Sequence, residues 1–216
     1  MVDTSVINEL FQKVHDFYPM GSDRVDQTFP GKVKYDAILK DKIDSIINHQ
    51  STAWESFASD LSCLNEHSLF NMSYLQFPCF IGKLQIVSDE NSRFNMQRTL
   101  VIAVSLLCDY YTLYFEDTYA FAGYTDLSVK PKLHILFSKR NDSGEEEVLF
   151  NTVHSMLRKS FPRFGFVNHK LLFDTRIKGG FVYPDGEACP DRRMNLFNFL
   201  FDGDYLYKEQ HLSVYE

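Results

Sequence analysis

The chain has no excess of positive charge, no paired cysteines and no long apolar run, and each shortage removes a class of function. Its 22 Lys and Arg are outnumbered by 29 Asp and Glu, giving a formal net charge of −7 and a pI near 5.5. Affinity for nucleic acid comes largely from Lys and Arg displacing counterions, so a phosphate-binding surface is not expected and a basic partner suits the field better. Cys63, Cys79, Cys108 and Cys189 form no C-x-x-C pair. A disulfide framework is not expected, and Cys79 in "FPCFIG" and Cys108 in "SLLC" read as reduced core residues. The longest apolar stretch, around "LVIAVSLLC", falls well short of the roughly 20 residues of a membrane span. The opening "MVDTSVINEL" lacks the positive start and apolar run of a secretory signal. A soluble, cytoplasmic protein without membrane attachment is the expectation.

Motifs of catalysis and cofactor binding are equally scarce. No G-x-S-x-G elbow, P-loop or G-x-G-x-x-G occurs, so hydrolase and phosphate-cradle chemistry has no sequence support. Cys63 and His67 are two potential ligands without a second pair, and "DGDY" (Asp202–Tyr205) opens like a calcium loop but lacks its later oxygen ligands. A helix end and a tight turn are the plainer readings, and neither metal nor cofactor is expected. "PRFGFVNHK" (Pro162–Lys170) partly resembles the RNP1 stretch of RNA-recognition modules, but its glycine and terminal aromatic are missing, so it reads as an ordinary aromatic strand. His134, His154, Asp109, Glu116 and Asp117 are the titratable groups from which an acid–base site would be built. In a strand Glu116 faces away from Asp109 and Asp117, so no carboxylate pair is implied.

What is present is a foldable chain rich in aromatics. Hydrophobic residues make up 44% and charged residues 24%, with 20 Phe and 12 Tyr. At this length one globular domain over residues 1–216 is expected, helical over 1–66 and sheet-rich over 67–216 with a helix near 145–160. Val6, Ile7, Leu10, Phe11, Val14 and Phe17 form a helical stripe that "YPMGSD" ends. Ile38, Leu39, Ile43, Ile46, Ile47, Trp54, Phe57 and Leu61 predict one long helix from about Tyr35 to Leu61. "LFNMSYLQF", "FIGKLQIV", "TLVIAVSLL", "YYTLYFEDTYAF" and "KLHILFS" read as strands, although "RTLVIAVSLLCDYY" fits a buried helix by periodicity alone. Val148, Leu149, Val153, Met156 and Leu157 share the face of the late helix, whose acidic start and basic end complement its dipole. After it come further strands or short elements. The fold class is α+β, with N-terminal helices and one late helix packed on a mainly antiparallel sheet.

The segment "DYYTLYFEDTYAF", Asp109–Phe121, packs six aromatic rings and three carboxylates into thirteen positions. Strand alternation sends Tyr111, Leu113 and Phe115 to one face, a core face, and Tyr110, Thr112, Tyr114 and Glu116 to the other. The second set, tyrosines beside acidic groups, has the composition of a protein interface unless a helix of the same chain covers it. Together with "FYPMG" (Phe17–Gly21) and the Trp54-bearing helix, "SLLCDYYTLYFEDTYAF" resembles small cytoplasmic immunity proteins of bacterial polymorphic-toxin and contact-inhibition loci. That resemblance implies a non-catalytic module that binds and neutralises a cognate toxin domain, here a basic one. On this reading Tyr110, Tyr114 and Tyr119 anchor the partner and Glu116 and Asp117 supply the acidic complement. The competing reading is an enzyme or small-ligand-binding protein with an aromatic-lined cleft.

Overall fold

A computed structural model describes residues 4–21, 28–50, 52–64, 69–90, 94–121, 132–138, 144–179, 182–183, 193–206 and 211–213. Three helices come first: α1 (Thr4–Phe17), α2 (Pro30–Ile47) and α3 (Ala53–Leu64). Strands β1 (Leu69–Asn71), β2 (Cys79–Glu90), β3 (Phe94–Ser105), β4 (Tyr110–Phe121) and β5 (Lys132–Phe137) follow, then α4 (Gly144–Ser160) and β6 (Gly165–Phe166). Short elements complete the chain: α5 (His169–Asp174), β7 (Arg176–Lys178), β8 (Arg193–Asn195), α6 (Leu196–Leu200) and β9 (His211–Ser213). The main sheet runs β1-β2-β3-β4-β5-β9, and β6 lies beside β4. Pairing is antiparallel from β1 to β5; β6 and β9 join in parallel, and β7 and β8 form a separate ribbon. The class is α+β, as expected. Among the described residues no helix is long and apolar enough to cross a membrane.

Helices cover both faces of this sheet. On one face, Trp54, Phe57 and Leu61 of α3 and Val153 and Leu157 of α4 pack on Leu84, Leu100, Ile102, Leu113 and Phe115. The Trp54 indole stacks on Phe80 at 5.5 Å, and it comes that close to the strand because residue 82 is glycine: a Cβ there would lie 3.3 Å from the indole and 2.8 Å from Leu69. On the other face, α1, α2, α5 and α6 bury Leu10, Val14, Tyr35, Phe173 and Phe197 against Ile81, Val101, Tyr114 and Leu136. Tyr18 ties this layer together, stacking on Tyr183 at 5.1 Å and donating to the Phe199 carbonyl at 2.7 Å.

Three expectations need correction. The single helix over 35–61 is two helices, because His49 takes a left-handed φ of 49° and its N–H and that of Gln50 close on Ile46 and Ser45. Thr52 and Glu55 then restart the chain as a capping box, each side chain accepting the other's backbone N–H at 3.1 and 3.0 Å. Ile47 is 64% exposed, and the buried stripe of α2 instead runs through Tyr35 to Lys42. Lys42 is tolerated there because its three ammonium protons go to the carbonyls of Tyr74, Phe77 and Cys79 at 2.7–2.8 Å, while burial lowers its pKa. Finally, Val148 stands outside the apolar stripe of α4, 66% exposed, whereas Leu157 is completely buried. "RTLVIAVSLLCDYY" resolves as a strand, a turn and the start of the next strand.

These positions predict a contrast within one helix. Leu157→Ala should cost about 2–5 kcal/mol by opening a cavity between α4 and the sheet. Val148→Ala should stay within about 0.5 kcal/mol. Urea denaturation of both variants measures the difference.

Candidate functional site

The alternation expected for β4 is present, but from Tyr110 to Asp117 neither face is open. Tyr111, Leu113 and Phe115 lie in the α3/α4 layer, and Tyr110 and Tyr114 lie in the layer of α1, α5 and α6. Every residue from Tyr110 to Asp117 is buried. Tyr110, Tyr114, Glu116 and Asp117 therefore do not form the accessible partner surface the sequence suggested. The covering helices of the same chain supply the reason: Tyr110 donates to Glu9 of α1 at 2.7 Å, and Tyr114 packs edge-on against Phe173 of α5 and Phe197 of α6. Of the five predicted residues only Tyr119, half-buried and 5.8 Å from the Phe94 ring, remains within reach of solvent.

The two adjacent carboxylates of β4 enter opposite layers and are neutralised separately. Glu116, wholly buried, accepts from Lys83 Nζ on β2 at 2.6 Å, from His134 Nδ1 on β5 at 2.6 Å and from the Tyr205 hydroxyl at 2.7 Å. Burial drives its carboxyl upward, but the hydrogen bond from His134 and the Lys83 ammonium overcome this and hold it at about 2. The Tyr114 and Tyr205 phenols beside it are pushed well above their ordinary value, mainly by burial and then by the Glu116 charge. Among the described residues the Tyr114 hydroxyl finds no hydrogen bond of ordinary geometry. On the opposite face Asp117 takes a bidentate pair from Arg98, Nε to Oδ1 at 2.6 Å and Nη2 to Oδ2 at 2.7 Å. Arg98 Nη1 reaches Glu146 on the first turn of α4 at 2.6 Å, and the guanidinium sits 5.2 Å from the Phe137 centroid. The Asp117 hydrogen bonds raise the arginine's pKa, so it stays charged.

Past the Arg98–Asp117 pair the α4 face of the sheet continues without the helix. Register places Val87, Arg98, Asp117 and Ile135 side by side in one row, and Asp89, Met96, Tyr119 and Leu133 in the next. Val87 is exposed; Met96, Tyr119, Leu133 and the neighbouring Phe94 are half-buried. Among the described residues acidic groups lie near this end, with Asp89 exposed on β2 and Glu145 and Glu147 exposed on the turn of α4 that carries Glu146. Arg98 is the one basic residue among the described residues of these rows, and Asp117 and Glu146 already neutralise it.

The remaining candidates disperse. Asp109 is exposed at the start of β4, away from Glu116. His154 is half-buried among Tyr111, Phe150 and Phe166, where burial and then Arg158 lower its pKa. "PRFGFVNHK" forms the short β6 and the start of α5, with His169 wholly buried. Asp202 makes a tight turn by accepting the N–H groups of Asp204 and Tyr205, and burial raises its carboxyl to about 6. Cys63 is exposed, Cys79 and Cys108 are buried with raised thiol pKa values, and His67 and Cys189 lie outside the described residues. No group of three or more His, Cys, Asp or Glu that could hold a metal occurs among the described residues. Sequence reading assigned Glu116 and His134 separately; their meeting, and the part of Lys83 and Tyr205, carried no local signal. Comparison with protein-family models, curated proteins and solved structures returns no match.

Two predictions follow from the buried charges. Arg98→Ala should cost about 3–5 kcal/mol in urea denaturation by removing the guanidinium from buried Asp117, whereas Arg98→Met combined with Asp117→Leu should recover most of the loss. The second concerns pH. Because the folded pKa of Glu116 lies below its ordinary 4.5, its contribution is present above pH 4.5 and lost as pH falls toward 2. Asp202 has the opposite sign: its raised pKa gives a contribution that is full below pH 3.8 and lost as pH rises through about 6. Stability-against-pH curves should therefore flatten below pH 4.5 in Glu116→Gln and between pH 3.8 and 6 in Asp202→Asn.

Proposed function

We propose that the chain is a non-catalytic protein-binding module of the immunity-protein kind, which occupies a cognate toxin domain with a cationic surface and blocks it without turnover. The observation that carries this reading is the end of the sheet that no described helix covers. Val87, Met96, Tyr119, Leu133 and Phe94 give an apolar centre, and among the described residues Asp89, Glu145 and Glu147 place acidic groups near it. An apolar centre with polar groups near it matches the anatomy of a specific interface. The overall charge of −7 adds steering toward a basic partner. The strands present the surface rigidly, so little conformational entropy is lost on docking.

This relocates the binding surface within the same strand, from the buried residues of its middle to its half-buried end at Tyr119. The buried charges of Glu116 and Asp117 hold the scaffold in place. Their mutation should lower the yield of folded protein before it changes any affinity.

Co-purification from the host and co-expression with the product of the adjacent gene test the proposal. Tyr119→Ala should weaken the recovered complex about tenfold, and Asp89→Lys with Glu145→Lys should slow association and remove its salt dependence. Unchanged affinity and protection in both variants, with the fold intact by circular dichroism, would place the partner elsewhere.

A further inference from the structure

A cavity of about 230 Å³ lies beside α4. Phe115 from β4, Phe150 from α4 and Phe166 from β6 form its walls. Phe150 and Phe166 stand nearly perpendicular, with an interplanar angle of 87° and centroids 6.5 Å apart, and Phe115 lies 6.0 Å from Phe150. Phe166 also packs on Tyr111 at 5.8 Å, and His154 contacts Phe166 at 5.1 Å and Phe150 at 6.2 Å. These contacts hold the walls in place before any ligand arrives. The charges at the edge are already engaged: Arg98 Nη1 bonds Glu146 at 2.6 Å, and Glu147 has interactions of its own. We propose that this cavity binds a small neutral aromatic group, one ring or a fused pair.

The chemistry left to a ligand is that of the rings. Both glutamates have partners, so a cation finds no free counter-ion here, and an anion would meet two carboxylates with no Lys or Arg in the lining among the described residues. A charged ligand of either sign would give up water without compensation. Glu146 is already out of water against Arg98, its side chain 11% exposed, so a neutral ligand takes little hydration from it. The polar groups at the back turn inward. Asn168 Nδ2 donates to Ser138 Oγ at 3.3 Å, its Oδ1 accepts from the Lys170 N–H at 2.8 Å, and Ser138 Oγ lies 3.1 Å from His169 Nδ1. Asn151 adds an exposed amide to the lining, which suits one hydroxyl or ring N–H on the ligand. An aromatic ring fits these walls better than an aliphatic ring of equal size, because two perpendicular phenylalanines offer a face and an edge at once. Size agrees: a dry cavity of about 150 Å³ holds benzene, and drug-sized sites begin at roughly 300 Å³. The space between these limits accepts phenol or indole.

Two-dimensional amide NMR spectra of the full-length chain, titrated with phenol and indole, test this. Cyclohexanol is the saturated control, and benzylammonium and benzoate are the charged controls beside neutral benzyl alcohol. Phenol and indole should bind saturably with a Kd on the order of millimolar, as expected for so few atoms, and phenol about fivefold tighter than cyclohexanol. The shifts should centre on the amides of Phe150, Asn151, Phe166 and Asn168. Phe150→Leu, which keeps an apolar wall but removes its ring, should weaken phenol binding about fivefold with the fold intact in the same spectra. If that variant does not fold, the shift map and the cyclohexanol comparison on the native chain decide the question. Tighter binding of N-acetyl-tyrosinamide than of p-cresol supports a partner's side chain as the natural occupant, and the reverse order supports a free aromatic compound. Cyclohexanol binding as well as phenol, benzylammonium or benzoate binding better than benzyl alcohol, an unchanged affinity in folded Phe150→Leu, shifts centred elsewhere, or no saturation would overturn the proposal. It goes beyond the toxin-binding reading and is independent of it, because ligand titration decides one and partner protection the other.

Discussion

The structure depends on the double burial of β4. A strand covered on both faces has no solvent side on which to place a charge, yet β4 carries Glu116 and Asp117 in succession. Alternation sends them to opposite layers, and an unpaired carboxylate in either would be costly. Each layer answers with its own cation: Lys83, helped by His134 and Tyr205, on one face, and Arg98 on the other. These pairs tie β4 to β2, β3 and β5 and, through Tyr205 and Glu146, to the C-terminal turn and to α4. The acidic pair that looked like a surface feature is thus the point at which the layers are joined.

The end of the sheet that no described helix covers follows from lengths. Strands β2, β3 and β4 have 12 residues each, roughly 40 Å of extended chain, while the 17 residues of α4 reach only about 25 Å. A helix that begins beside Arg98 does not reach the rows beyond it, where among the described residues no other helix lies. The bulge between Gln85 and Val87 matters here, because it reverses the alternation of β2 and turns Val87 and Asp89 toward the α4 face. The same first turn of α4 serves two neighbouring features. Glu146 pins the helix to Arg98, and with Glu147 it borders the phenylalanine-lined cavity.

Much of this was legible wherever a local rule operates. Short apolar runs between polar turns located β2 to β5, with the β3 run also fitting a buried helix, and the acidic start and basic end of α4 marked its direction. The break after α2 was also written locally, in the Thr52-to-Glu55 capping box, but the apolar spacing continuing from Ile47 to Trp54 and Phe57 masked it. Lys42 shows a limit of pattern reading: a lysine at a core position is interpretable only once three carbonyls from a distant turn are seen around it. The Glu116 cluster lies beyond any local pattern, since its members are 33, 18 and 89 residues away in sequence.

By itself, the sequence determined the α+β class, the alternation of β4 and the acidic balance, because helix and strand periodicities and net charge depend on residues near one another or on totals. That both faces of β4 are buried over Tyr110–Asp117 was a tertiary decision. A strand pattern states that two faces differ; the arrival of α1, α5 and α6 on the tyrosine face, and the end of α4 at the Arg98 row, decide which residues meet water.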